Sequence, residues 1–282
     1  MTTLITPPAL IPDIDPSYQV SDELWERFHP LIPPPPPKPK GGRPRMDDRQ
    51  ALNGIFYVLC TGCQWNALPR CLGAPSTVHD RFQEWQENGT LSGFWQAGLM
   101  EYVQTQGVDW HWQAMDGALV KAPLGGGKTG PNPTDRGKSG TKRSVLTDGN
   151  GIPFALVVAP ANRHDMKLFE ATLEAQCIVP PDPSEGASRQ LCLDRGYDYD
   201  EVRQTLEEWG YEGHIPPQND RDLIIHDIPN YRARRWVVER THSWMNRFRR
   251  LLIRWEKKPD NYLAMMQLAS AFITFRSAEV FG

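Results

Sequence analysis

Two aspartates sit where a folded chain can least tolerate them. Asp116 interrupts the apolar run from Trp110 to Val120, and Asp194 directly follows Leu191-Cys-Leu193. Both runs read as buried strands. A carboxylate inside or at the end of such a strand is costly unless it is paired, hydrogen-bonded or bound to a cation. One explanation covers both positions: the two side chains converge at the sheet and hold a hard cation through oxygen. The alternative for each acid is that it caps a neighbouring turn or helix.

A third acid belongs with them. The sequence predicts a long helix from about Tyr231 to Trp255, on which Arg232, Arg235, Glu239, His242, Asn246 and Arg250 recur at spacings of three or four and form one polar stripe. Val237, Trp244, Phe248, Leu251 and Trp255 form the apolar seam, and Trp236 and Trp244 are read as core. Glu239 is the one acid in a stripe of bases. An exposed ion pair to Arg235 or Arg232 is worth only about 0.2–0.5 kcal/mol. A metal ligand ringed by phosphate-binding arginines accounts for both signs of charge. Three carboxylates can hold two metal ions, one activating a water or a 3′-hydroxyl and the other stabilising the leaving oxygen. His242, one turn after Glu239, is expected either to face this site or the scissile phosphate, or to pack in the core.

The net charge of −3 conceals strong segregation. Residues 1–30 carry −4, residues 128–143 carry +4, and residues 231–258 carry ten bases against Glu239 and Glu256. Such basic blocks suit a phosphate backbone. Lys38, Lys40, Arg43 and Arg45 form a basic arm after the prolines at 33–37, Arg136, Lys138 and Lys142 lie in a loop expected over 123–142, and Arg143 directly follows it. With Arg232, Arg235, His242, Arg247 and Arg250 of the helix, these are the candidate DNA contacts. The five cysteines are odd in number and scattered, so no disulfide framework is expected. Zinc held by Cys60 and Cys63 with Cys71 and His79 is a weaker alternative. No run of about 18 apolar residues exists, and Met1 to Ile11 has no secretory pattern. The expectation is an intracellular protein that does not touch membrane.

Three sections follow from the patterning: a flexible acidic lead over 1–20, a small helical, helix-turn-helix-like DNA-binding domain over 21–106 that includes the Pro-rich basic linker 33–45, and an α/β domain over 107–282. In the first helical section Ser21 and Ser76 are expected N-caps, and Asn88-Gly89 a helix end. In the last, strands are expected over 110–120, 144–147, 152–159, 189–193 and near 211–215. Asp148-Gly-Asn-Gly151 is a hairpin signal, and helices alternate with the later strands. Hairpin strands followed by alternating units is the order of a ribonuclease H-like mixed sheet with flanking helices.

Several segments, in order, resemble bacterial insertion-sequence transposases of the DDE type, in the broad group of insertion sequence families four and five and closer to family five. They are Gly41-Gly-Arg-Pro-Arg45, Thr61-Gly-Cys-Gln-Trp-Asn-Ala-Leu-Pro69, Met115-Asp-Gly117, Arg136-Gly-Lys-Ser-Gly-Thr-Lys142, Leu193-Asp-Arg-Gly-Tyr-Asp198, and Val238-Glu-Arg-Thr-His-Ser-Trp244 with Arg247-Phe-Arg-Arg250. The resemblance implies a ribonuclease H-like catalytic domain and dependence on Mg2+, with Mn2+ as a possible substitute and two ions per site. It implies double-stranded DNA partners, both terminal inverted repeats and target, and the catalytic and metal-binding acids Asp116, Asp194 and Glu239. Catalysis at two DNA ends implies a homodimer or higher homo-oligomer. The sequence departs from the helix signature of these relatives at two flanks. Arg232 stands where they carry Tyr, with Tyr231 one residue early, and Asn246 stands where they carry a base, with Arg247 one residue late. Ala118 stands where they often carry Ser or Thr. A nuclease that cuts without joining, or a non-catalytic DNA-binding regulator, are the rival readings. Counterion release predicts that DNA affinity falls steeply between 50 and 200 mM salt, by about 10³-fold or more if six or more phosphates are contacted. A flat response in a filter-binding titration contradicts phosphate contacts by the basic segments.

Overall fold

Capping chemistry sets the helices of the N-terminal part. In the computed structural model Ser21 accepts from Leu24 N–H and starts α1 (Asp22–Phe28). Asp47 does the same for Gln50 N–H at the head of α2 (Asp48–Thr61), which Gly62 ends in the left-handed conformation. The cap expected at Ser76 is displaced: α3 (Pro75–Glu87) starts from Ala74, with Pro75 in its first turn, where a missing N–H costs nothing. Only Asn88 and Gly89 separate α3 from α4 (Thr90–Thr105). The structure describes residues 11, 13–35, 44–178, 188–216 and 234–279. Residues 1–10, Lys38, Lys40, Arg43, Tyr231 and Arg232 lie outside the described residues.

The second half holds a mixed sheet of β1 (Trp112–Lys121), β2 (Gly130–Pro131), β3 (Ser139–Asp148), β4 (Pro153–Pro160), β5 (Arg189–Cys192) and β6 (Tyr211–His214). β1, β3 and β4 form an antiparallel meander, and β5 and β6 extend it in parallel from the other edge of β1. A meander followed by parallel strands reached through helical crossovers is the ribonuclease H-like topology. The hairpin at Asp148 forms as expected, with Asp148 N–H donating to Ile152 O at 3.1 Å. Helices α5 (Phe169–Glu174) and α6 (Asp200–Glu208) fall in the crossovers, and α7 (Trp236–Asn246) and α8 (Pro259–Ser277) follow β6.

One continuous core joins the two halves. The α8 helix is buried along most of its length and packs on α4. Phe94 lies edge-on to Phe28, with ring centroids 5.0 Å apart, and 5.0 Å from Phe275. Arg27 forks onto Glu101 with two contacts of 2.6 Å and ties α1 to α4. Arg254, almost wholly buried, donates to the carbonyls of Gly127, Lys128 and Glu256 and to Thr141 Oγ1. It fastens the Gly-rich loop to the start of β3. At Gly126, with φ +114°, a Cβ would lie 2.3 Å from the Lys257 carbonyl oxygen, so that crossing needs glycine.

Four expectations need correction. The section expected as a flexible lead is packed over 13–20: Ile14 and Val20 are buried, and Val20 N–H donates to Asn53 Oδ1 at 2.7 Å. The loop expected over 123–142 is shorter, because Ser139 to Lys142 already belong to β3. The helix expected to reach Trp255 stops at Asn246, since Phe248 turns extended (φ −81°, ψ 97°) before a single 3-10 turn, Arg249–Leu251. Trp236, read as core, is 54% exposed, with Arg240 stacked between it and Trp244 at 4.8 and 4.7 Å. Among the described residues no helix is long and apolar enough to cross a membrane.

Truncating Phe94 leaves a void between α1, α4 and α8. Phe94→Ala is expected to cost about 3–5 kcal/mol, read as a lower urea midpoint at unchanged slope.

Candidate active site

Register brings the two strand aspartates together. Ala114 of β1 pairs with Cys192 of β5 in parallel, so two residues further along each chain Asp116 and Asp194 stand level. Side chains alternate across a sheet, so Trp112, Ala114, Asp116 and Cys192 share one face. The α7 helix covers that face: His242 is buried with its Nε2 4.0 Å from Asp116 Oδ2, and Arg234 lies 4.6 Å over the Trp112 ring. Asp194 caps the turn Arg195–Tyr197, its Oδ1 accepting Gly196 N–H at 2.8 Å. Capping, the alternative for this acid, is therefore real, and it occupies only one of the carboxylate's oxygens.

The electrostatics differ from those of an ordinary structural acid. Burial, then the nearby Asp194 and Asp165 carboxylates, push Asp116 up to about 6 against the donation of Gly117 N–H and the charge of Arg235. Burial, then Asp165, raises Asp194, while Gly196 N–H, Arg235 and Lys142 oppose it. Asp148 supplies the contrast: burial also pushes it up to about 6, but it gathers donors from Asp109 N–H, Asn150 N–H, Ile152 N–H and Tyr102 Oη, because its work is to close the hairpin. His242 is held neutral, pushed down to about 3 by burial and then by Arg143, and neither ring nitrogen has a hydrogen-bond partner.

Asp165 is the residue that sequence reasoning missed. It begins the 3-10 turn Asp165–Leu168, and its Oδ2 accepts from Lys142 Nζ at 2.8 Å. A Cβ at residue 117 would lie 2.1 Å from Asp165 Oδ1, so Gly117 is what admits this carboxylate over β1. The available signal was an acid five residues after the strand end at Pro160, much as Asp194 follows β5, but Asp165 reads equally well as a helix start. Tyr197, fully buried, feels all three aspartates after its own burial, and its pKa rises accordingly.

Glu239 stands on the exposed flank of α7, 52% exposed, with its Oε1 3.2 Å from Arg235 Nε. Among the described residues no three His, Cys, Asp or Glu side chains are grouped closely enough to hold a metal ion, the Cys60, Cys63, Cys71 and His79 set included. The candidate DNA contacts divide. Arg136, Lys138, Arg235 and Arg247 are exposed. Four others are spent inside the protein. Lys142 is buried against Asp165, and Arg143, 1% exposed, donates to Asn246 Oδ1 at 2.7 Å and to His242 O. Arg250 is buried against Glu256 at 2.6 Å and donates to Cys63 O, and Arg45 pairs with Glu84 and Asp48. His242 is likewise too buried to reach a backbone phosphate directly.

The structure is thus an α/β protein whose mixed sheet carries a pair of carboxylates at two neighbouring strands. Residues 113–273 match the family model "Transposase DDE domain", and residues 20–95 match a model for IS4/5-family transposases. A protein described as a transposase for insertion sequence element IS402 of Burkholderia cepacia is 36% identical over 156 residues, covering 53% of this chain and 70% of that one. A 16.2 kDa protein of the same element is 34% identical over 118 residues, covering 40% of this chain and 80% of that one. The crystal structure of a pre-cleavage Mos1 transpososome overlaps at 12% identity over 90% of this chain and 85% of that one, with a TM-score of 0.28, too loose to define a shared fold. The chain belongs to the DDE transposase family: it is a DNA transposase of the bacterial insertion-sequence kind, in a group in which families four and five are not separated by these matches.

Folding raises the Asp116 carboxyl from 3.8 to about 6, so the folded state holds a proton that the unfolded chain releases first. The resulting penalty is absent below about pH 4, grows as pH climbs to about 6, and is full above that. In chelator at pH 7.5, Asp116→Asn is expected to be more stable than the wild type by roughly 2–3 kcal/mol. That gain should vanish toward pH 4. Thermal midpoints across the range check it, and a lower midpoint for the variant at pH 7.5 contradicts it.

Proposed function

We propose that this transposase binds the terminal inverted repeats of its element as a homodimer or larger assembly, cleaves the DNA strands there, and joins the freed ends to target DNA at one site built from Asp116, Asp194 and Glu239. The observation that carries this reading is the level pair of carboxylates on β1 and β5, both raised by burial and each with few donors. A pair of hard oxygen donors that folding has left short of positive charge fits a divalent cation. Glu239 fits as the third donor by its place on the helix that covers the pair, once it exchanges Arg235 for the cation. Mg2+, or Mn2+ in its place and as two ions, would supply Lewis acidity toward a water or a 3′-hydroxyl and toward the leaving oxygen.

The remaining work belongs to the chain itself. Arg235 already balances Asp116 and Asp194 electrostatically and pairs with Glu239, so it stands where an incoming phosphate needs a cation. Exposed Arg136 and Lys138 supply backbone contacts from the loop beside β3, as does the basic arm at 38–45, through Lys38, Lys40 and Arg43. Residues 21–106 act as the DNA-binding section and 107–282 as the catalytic one. A cytoplasmic, nucleoid-associated setting follows from that work.

Asp116→Asn, Asp194→Asn and Glu239→Gln are each expected to lower cleavage of the protein's own element ends in Mg2+ by at least about 10²-fold while leaving duplex binding in place. Precleaved ends bearing 3′-hydroxyls should be joined to target by the wild type. Cleavage without joining identifies a nuclease. Cleavage unchanged in all three variants sinks the proposed site.

A further inference from the structure

A groove of about 850 Å³ opens between the packed N-terminal segment, the end of α7 and the last turns of α8. Tyr18, Phe248 and Phe272 line it together with Arg247, Arg249 and Arg276. The break in the helix at Phe248 creates this arrangement, because it places Arg247 and Arg249 on either side of an aromatic ring. All three arginines are exposed, and among the described residues none has a carboxylate partner. The contrast with Arg250, Arg254 and Arg143 is sharp, since those neighbours are buried and engaged. Three free guanidinium groups around half-buried rings call for an anion that also carries a flat apolar face.

We infer that this groove takes an unpaired stretch of DNA strand, with Arg247, Arg249 and Arg276 on its phosphates and Tyr18 and Phe248 stacking its bases. The inference rests on the DNA-processing reading above and names a second contact for the same substrate. A duplex shows proteins only its base edges, in the grooves. A single strand can present base faces to aromatic rings while its backbone follows a basic rim. Arg247, the C-cap of α7, lies eight residues beyond Glu239, roughly 12 Å along the helix axis, so one strand can run from the acidic site into the groove. Frayed or cut element ends supply such a strand.

The test uses the full chain and two labelled probes, an oligo(dT) of about twelve nucleotides and a blunt duplex, read by fluorescence anisotropy across a salt series. Arg249→Gln with Arg276→Gln is expected to weaken oligo(dT) binding at least about tenfold and to make its salt slope shallower by roughly 1.4. Phe248→Leu should weaken it about fivefold or more with no change of slope. Duplex affinity should stay within about twofold for both variants, against the loss expected for the single strand. Unchanged oligo(dT) affinity in both variants, or an equal loss on the duplex, overturns the inference. Wild-type cleavage measured on the same preparation separates the two readings: its absence counts against the DNA-processing site, whereas intact cleavage with unaltered oligo(dT) binding counts against the groove alone.

Discussion

The parallel pairing of β1 with β5 is the constraint on which the rest of this structure depends. It sets two like charges level at adjacent strands, where backbones lie about 4.8 Å apart, and folding then takes both partly out of water. Nothing local compensates them fully. Gly196 N–H and Gly117 N–H lower the cost, and Arg235 and Lys142 contribute from a distance, yet both carboxyls remain raised. A chain that tolerates such a pair uses its fold to hold open a demand for positive charge. The surrounding pieces follow from that demand: α7 roofs the acids with a neutral histidine, and Gly117 makes room for a third carboxylate over β1.

The basic residues fall into two populations that sequence composition cannot separate. Arg143, Arg250 and Arg254 are swallowed by the fold, each donating to carbonyls or to a partner side chain and locking distant segments together. Arg143 in particular holds Asn246 at the end of α7 against β3, and so fixes the helix that carries Glu239 relative to the strand next to Asp116. The exposed population, including Arg136, Lys138, Arg235, Arg247, Arg249 and Arg276, is what remains for an anionic partner. Buried guanidinium groups are tolerated because the fork can be satisfied by several backbone oxygens at once. A run of ten bases thus overstates the charge available to DNA.

Much of the architecture was legible because its signals are local. Asp148-Gly-Asn-Gly151 announces a hairpin, and Gly62 and Asn88-Gly89 announce helix ends. What misled was the assumption that helical spacing persists. Arg235 and Glu239 keep to the exposed flank of α7, but His242 turns in toward Asp116, and Arg250 lies past the break at Phe248 and is buried against Glu256. Trp236 reads as core by hydrophobicity alone, although Arg240 one turn away stacks on its ring and leaves it exposed, whereas Trp244 stays partly buried against the core.

Sequence by itself determined the family and the order of elements, and it singled out Asp116 and Asp194 as acids beside apolar runs, because each is written in residues that are neighbours or that recur with a fixed period. Tertiary structure alone decided that Asp165 joins those acids, that Lys142 and Arg143 face inward, and that Tyr18 shares a groove with Arg249 and Arg276. Those facts depend on register and on which side of a strand or helix meets its neighbour. A change of one residue in the register of β3 would turn Lys142 and Arg143 to the opposite faces, and composition would stay the same.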